Sequence, residues 1–537
     1  MKKLLSTIMA LVMLLSLVPM AVATEGVTEE NAVARIGDQY YETLEDAVLK
    51  VANGDTITLL KDVALGDNHL IIGSVDSEQK VLTLDLNGHS ISATYRVIMV
   101  QNAKLTVTGP GKIYETSPNL GAIIIKGSNN DEDEDYTVVN IGAGVELEAW
   151  SPIFVTPFQG NGYGVVVNVD GAKLTGKTDA SGGSGCAIYV NGTIQNQNNA
   201  PKLVLNNVTQ TATGAGMYLA GYANTTITGG SITGGNTGIE IRAGELTLND
   251  CALEATAQEF SCEPNGSGTT TVGAAIAIAQ HTTKKDIAVT INGGSFKGVK
   301  ALNESNPQAN DPAPQVKLSI DGGTFIGDIS TFDVTGFIKG GTFTDLASAV
   351  KITLAGDVSA ERINLEDKSI TVDLNGHTLT STSAYGVMFC AKNGNTITVN
   401  GTTPGSKLVG TVMVTAGTDG HIVLNGGTYE SDKYVPVYIN GAVNTENSTL
   451  KIKDAVITAI SSSGGQDMGC GMYLAGYATS TIENTEITAP VTGIEIRAGK
   501  LDLTDCTVTG GNGKVAEVAN GNGTTVTNAA VAVSQHT

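Results

Sequence analysis

Two Glu–Arg pairs are the first residues that could do chemistry. Glu240 and Arg242 lie in the string GIEIRAG at Gly238–Gly244, and Glu495 and Arg497 lie in the same string at Gly493–Gly499. On a strand, residues two apart project to one face. A carboxylate beside a guanidinium there could hold a cation and offer a base, as a polysaccharide lyase requires. The plainer reading is an ion pair on an outer surface, because Ile239 and Ile241 alternate with the pair and point inward. His281 and His536 follow equivalent strands. An imidazole at that place can cap a turn or act as a base, and the cap is the simpler expectation.

Three further clusters carry ligand chemistry. Asp131, Asp133 and Asp135 belong to the only run of five acids, behind Gly127-Ser128-Asn129-Asn130. A solvated loop explains the run; calcium is the one cofactor it suggests, and none is required. Trp150, Phe154, Phe158 and Tyr163 make an aromatic stretch, and Tyr434 and Tyr438 with Pro436 match Trp150 and Phe154 with Pro152. Aromatics on a flank can stack on sugar rings or anchor a protein partner. They can equally belong to a loop tucked on the scaffold.

The elements that must hold these residues are repeats. GMYLAGYA at Gly216–Ala223 returns at Gly471–Ala478, and NGSGTTTVGAAIAIAQHT at Asn265–Thr282 returns in varied form at Asn520–Thr537, both 255 residues on. LDLNGHSI at Leu84–Ile91 returns as VDLNGHTL at Val372–Leu379. Within each copy a shorter pattern recurs: an apolar-x-apolar strand, an Asn/Asp/Gly corner, then another apolar residue. LTLNDCAL, VTINGGSF, LSIDGGTF and IVLNGGTY are examples. The gap of 43 residues between Leu248 and Ile291 suggests two turns where most gaps suggest one. Such strands cannot bury their apolar faces alone, but coiling them turn upon turn makes a continuous narrow core. The fold class expected is all-β: a right-handed parallel β-helix, in preference to a β-sandwich, which does not explain the repeated corners. About 20 turns would make a rod on the order of 100 Å long. The corner residues Asn87, Asn249, Asn292, Asn375 and Asn425 suit left-handed turns and amide ladders.

Thr43 can N-cap a short helix within Tyr40–Asn53, with Leu44, Ala47, Val48 and Val51 as its apolar stripe over the open end of the first turn. The counterpart Thr344–Val350 runs straight into KITLAGDV, too short to cap, so the copies read as one solenoid. The organisation expected is a leader over 1–23, an N-terminal segment over 24–39, copy one over 40–340 and copy two over 341–537. Copy two stops inside a repeat, with Ala529–Val533 as a final strand lacking a covering helix, expected either from a truncated reading frame or with end-to-end self-association.

Composition narrows the function. Lys2 and Lys3, the apolar Leu4–Val18 and the small-x-small site Ala21-Val22-Ala23 read as a secretory signal. This points to a secreted or cell-wall-associated protein, and no later stretch is apolar enough to span a membrane. The net charge of −22 excludes nucleic acid as a partner. Cys186, Cys251, Cys262, Cys390, Cys470 and Cys506 are too sparse for a disulfide framework and fit buried thiols.

GIEIRAG, GTTTVGAAIAIAQHTTKK and INGGSF, with the opening YYETLEDAVLKVANGDTITLLKDV, resemble the secreted β-helix repeat proteins of Gram-positive anaerobic bacteria, over essentially all of Val27–Thr537. The resemblance implies a pectate-lyase-like solenoid at the cell surface and little about activity. The strings NTD, GHG and RIK of polygalacturonase-like enzymes are missing. The expectation is a non-enzymatic, adhesin-like or glycan-binding display protein whose partner is a polysaccharide or a host or cell-surface protein. The alternative is a lyase or glycoside hydrolase acting on an acidic polysaccharide.

Overall fold

A computed structural model describes residues 27–537, apart from 158–160, 266–267, 312, 314, 331–334, 339, 345–350, 355, 366–368, 416–418, 444–445, 461–468, 521–522 and 535–537. Phe158, His536, the leader and most of Thr344–Val350 therefore lie outside the described residues.

The chain is a parallel β-helix. Leu84 pairs in parallel with Ile57 of the turn before and Val107 of the turn after. Each turn contributes three short strands, one to each face. The turn built from Lys202–Asn206, Thr209–Ala212 and Ala215–Leu219 stacks on Ala223–Thr228, Ser231–Gly234 and Thr237–Ile241, residue on residue. Alternation does the rest: inward Leu203, Leu205, Met217 and Leu219 are buried, and one apolar cluster runs from Ala34 to Ile496. Corners use left-handed residues. Asn87 and Asn375 take φ 48° and 46°, and their amides donate to Leu59 O at 2.9 Å and Leu354 O at 3.0 Å one turn back. Other corner amides form ladders, with Asn292 donating to Asn249 at 2.7 Å and Asn425 to Asn400 at 3.0 Å.

The N-terminal cap differs in detail from expectation. The helix is Leu44–Lys50, with Asp46 N donating to Thr43 Oγ1 at 3.1 Å, and Leu44, Ala47 and Val48 are buried. Gln39–Tyr41 is a strand instead, paired antiparallel to Ala34–Ile36, which in turn lies antiparallel on Thr56–Leu59. Reversing strand direction at this edge ends the parallel ladder, so the segment before Tyr40 belongs to the cap.

The copies join through one unbroken face, while among the described residues the first face crosses the junction by the single bridge Ile338–Leu354 and the third restarts as a separate sheet at Ile363–Leu365. Thr324–Ser330, Thr342–Phe343, Val358–Ala360 and Thr378–Ser381 pair successively in parallel. Phe296, Phe325 and Phe343 stack inside the junction at 4.8 and 4.7 Å between ring centroids. At the far end Ala529–Val533 pairs with Thr492–Ile496, and Val531 and Val533 are exposed.

The gap of 43 residues is one turn, not two. Leu248 pairs directly with Ile291. The surplus leaves the rod as an antiparallel hairpin, Ser261–Asn265 with Gly268–Val272. The second copy repeats it with Ala516–Asn520 and Gly523–Thr527.

Inward positions also hold a few polar residues, among them Thr225, Ser480 and Gln210. Gln210, 0 % exposed, sits between Leu174 and Ile232, and neither amide atom has a hydrogen-bond partner among the described residues. In copy two Ile457, next to Ile487, holds that place. Burying an amide without partners costs about 1–3 kcal/mol. Gln210→Leu is therefore expected to raise the denaturant midpoint by an amount corresponding to about that energy; a lower midpoint would reveal a polar partner inside the rod.

Candidate functional site

Strand pairing on the third face lines up one outward row. It runs Met99, Ile124, Phe154, Tyr189, Tyr218, Glu240, Ala277, each residue directly beside the next. Copy two presents Cys390, Met413, Tyr438, Tyr473, Glu495, Ala532. Tyr438 thus corresponds to Tyr189 rather than to Phe154. Loop lengths shift the count along the chain, whereas register is set by pairing.

The aromatic rings form a continuous stack along the rod. Phe154 lies 4.9 Å from Tyr189, and Tyr189 lies 5.4 Å from Tyr218 at an interplanar angle of 12°. The Arg242 guanidinium caps the far face of Tyr218 at 4.6 Å. These faces are used by one another, so Tyr189 and Tyr218 offer ring edges to a ligand. Burial raises the phenol pKa of both. Trp150, tilted 51° to Tyr189 at 6.0 Å, stands apart from the stack.

Glu240 and Arg242 are an ion pair, but a buried one, 2 % and 3 % exposed. This corrects the surface reading. Alternation does turn both side chains outward; the hairpin then folds over them. Arg242 Nε donates to Glu240 Oε1 at 2.8 Å, and the hairpin's Thr271 N donates to Oε2 at 3.0 Å. The Thr237 hydroxyl donates to Thr271 O. Burial opposes the charge on Arg242, but Glu240 and Tyr218 outweigh it and its pKa is raised. Copy two repeats the ion pair and the hydroxyl bond: Arg497 Nε donates to Glu495 Oε1 at 2.8 Å, and Thr492 Oγ1 to Val526 O at 2.6 Å.

A groove of about 400 Å³ opens between this row and the hairpin of copy one. Trp150, Ser184, Cys186, Tyr189, Ala215, Tyr218, Asn236, Glu240, Thr270 and Thr271 line it. Burial pushes the Cys186 thiol up to about 12, so it stays protonated and unreactive at neutral pH. In copy two the matching tyrosines are buried at 9 % and 5 %, packed with Tyr434, Val435 and Cys470.

Sequence reasoning missed Glu115. This buried carboxylate accepts from Asn119 N at 2.9 Å, Leu120 N at 3.0 Å, Gly121 N at 2.8 Å and Trp150 N at 3.0 Å. It therefore fixes the backbone under the groove's Trp150.

The remaining candidates lie elsewhere. His281 Nδ1 accepts from Thr283 N at 3.2 Å, and His281 O accepts from Asn310 Nδ2 at 3.0 Å, which closes a turn. Asp133 accepts from the Ser128 hydroxyl and, at 3.1 Å, from Asn130 Nδ2. Asp135 occupies a left-handed turn position, and Asp131 O accepts from Asn199 at 3.4 Å. Among the described residues no three His, Cys, Asp or Glu side chains gather as a metal ion requires. All six cysteines are free. Among the described residues no helix is long and apolar enough to cross a membrane.

Compared with known protein families, curated proteins and solved structures, the chain matches none.

Proposed function

We propose that the protein is a secreted or cell-surface β-helix that binds glycans in the groove of copy one, and that the ligand there is a neutral sugar chain. The observation that carries this reading is the lining: an indole beside aromatic edges, with the hydroxyls of Ser184, Thr270 and Thr271 and the amide of Asn236 around it. A sugar presents an apolar C–H face and a rim of hydroxyls, and such a surface suits both. The ligand is neutral because Glu240, the only carboxylate among the described lining residues, already spends one oxygen on Arg242 and the other on Thr271. Among the described lining residues there is no cation to attract an acid, and the chain carries −22 overall. The same fact favours binding over cleavage, since glycoside hydrolysis uses two carboxylates about 5–10 Å apart across the bond. A leader-like N-terminus supports export.

The test is calorimetry of the full chain against neutral oligosaccharides of different linkage. At least one should bind saturably, and Trp150→Ala should weaken it about ten-fold or more. Unchanged affinity in a folded Trp150→Ala variant would remove the groove from the account.

A further inference from the structure

A tyrosine and a cation meet at the same corner of both copies, ahead of the third face. In copy one they are adjacent in sequence, as Tyr95 and Arg96 in LDLNGHSISATYRV; in copy two VDLNGHTLTSTSAYGV supplies Tyr385 and Gly386. Arg96 holds φ 101°, a conformation suited to glycine, and Gly386 takes φ 70° in its place. A strained non-glycine position persists only where its surroundings hold it. The Arg96 guanidinium lies 5.4 Å from the Tyr95 ring.

Copy two rebuilds the pair from the corners of other turns. An added Cβ at Gly386 would come within 3.0 Å of the Lys433 side chain, so Lys433 covers this glycine, and its ammonium donates to Ser383 O at 3.4 Å. Beside it a groove of about 340 Å³ is lined by Thr344, Glu361, Arg362, Asn364, Ser383 and Tyr385, so one carboxylate shares the lining with the guanidinium. Tyr385 is 77 % exposed, the most exposed tyrosine of those at either corner. Arg362 is exposed too, and among the described residues neither it nor Lys433 joins an ion pair.

An exposed aromatic ring close to two cations that join no ion pair among the described residues is a recognition surface for a ring that carries an acid. On a chain of net charge −22, anions approach only where local cations draw them. The guanidinium fork matches a carboxylate or a sulfate with two parallel hydrogen bonds. We propose that the corner formed by Arg362, Tyr385 and Lys433 is a second glycan site, specific for a sugar residue bearing a carboxylate or a sulfate. The ring lies against Tyr385 and the acid group on the two cations. This site is independent of the groove in copy one, whose ligand is neutral.

Calorimetry of the full chain with three probes tests it: unsulfated chondroitin oligosaccharides, sulfated chondroitin oligosaccharides and neutral cello-oligosaccharides. Arg362→Gln and Tyr385→Ala alter exposed side chains and should fold normally. Either anionic probe should bind, with affinity falling as salt rises, and each substitution should weaken that binding about ten-fold. Binding of the unsulfated probe identifies the carboxylate as sufficient; binding of only the sulfated probe assigns the site to sulfate. Neutral-probe binding, read by Trp150 in the other copy, should be the same in both variants, which separates failure here from failure of the groove. Absence of binding by both anionic probes, or undiminished binding in Arg362→Gln, would overturn the proposal.

Discussion

Glu240→Ala is expected to destabilise the protein by about 3–5 kcal/mol, because it leaves the buried Arg242 guanidinium without its counter-charge. The same change takes the acceptor from Thr271 N, so the hairpin Ser261–Val272 keeps the Thr237 hydroxyl bond to Thr271 O but loses its bond to the carboxylate. Denaturant unfolding should show the loss, and hydrogen exchange at Thr271 should show where it begins. Removing the charged pair together, as Glu240→Met with Arg242→Leu, should cost less than Glu240→Ala alone, since no unpaired ion then remains. A single variant within about 1 kcal/mol of the parent, with Thr271 still protected from exchange, would mean the ion pair does not hold the hairpin.

The second large effect is at a residue that never touches the groove. Glu115→Gln replaces one carboxylate oxygen by an amide that cannot accept, leaving two of the four N–H donors opposed by another donor. Each charged acceptor lost is worth about 1.5–3 kcal/mol, so the loop 116–121 and the backbone at Trp150 should loosen together. We expect a lower midpoint in urea and a weaker neutral-glycan affinity, although Glu115 lies outside the groove lining. Stability falling while affinity stays constant would show that Trp150 is positioned by its own packing.

Much of the scaffold was legible from residue order. Alternating apolar residues with Asn or Gly at fixed offsets can be satisfied by stacked turns, and Thr43 with its Leu44–Val51 stripe marked a helix at one end. The site was less legible, for physical reasons. Tyr189 and Tyr218 occur singly, in AIYV and MYLA, and become neighbours only through pairing between turns. Alternation gave the direction of Glu240 correctly but not its burial, because the cover is a hairpin that begins 21 residues downstream, at Ser261. That hairpin has the threonine-rich look of any strand here, so its residues read as another turn. Glu115 has no local signature at all: its partners are backbone N–H groups of a loop and of the next turn.

If the groove of copy one takes a glycan, as proposed, its single indole reports on the binding directly. Trp150 is the chain's only tryptophan, and it lines the groove. Tryptophan emission of the full chain, titrated with the neutral oligosaccharide that binds best, is predicted to change saturably, and to change far less in Tyr218→Ala. Emission unmoved by every neutral glycan that the protein binds, or moved equally in Tyr218→Ala, would contradict it.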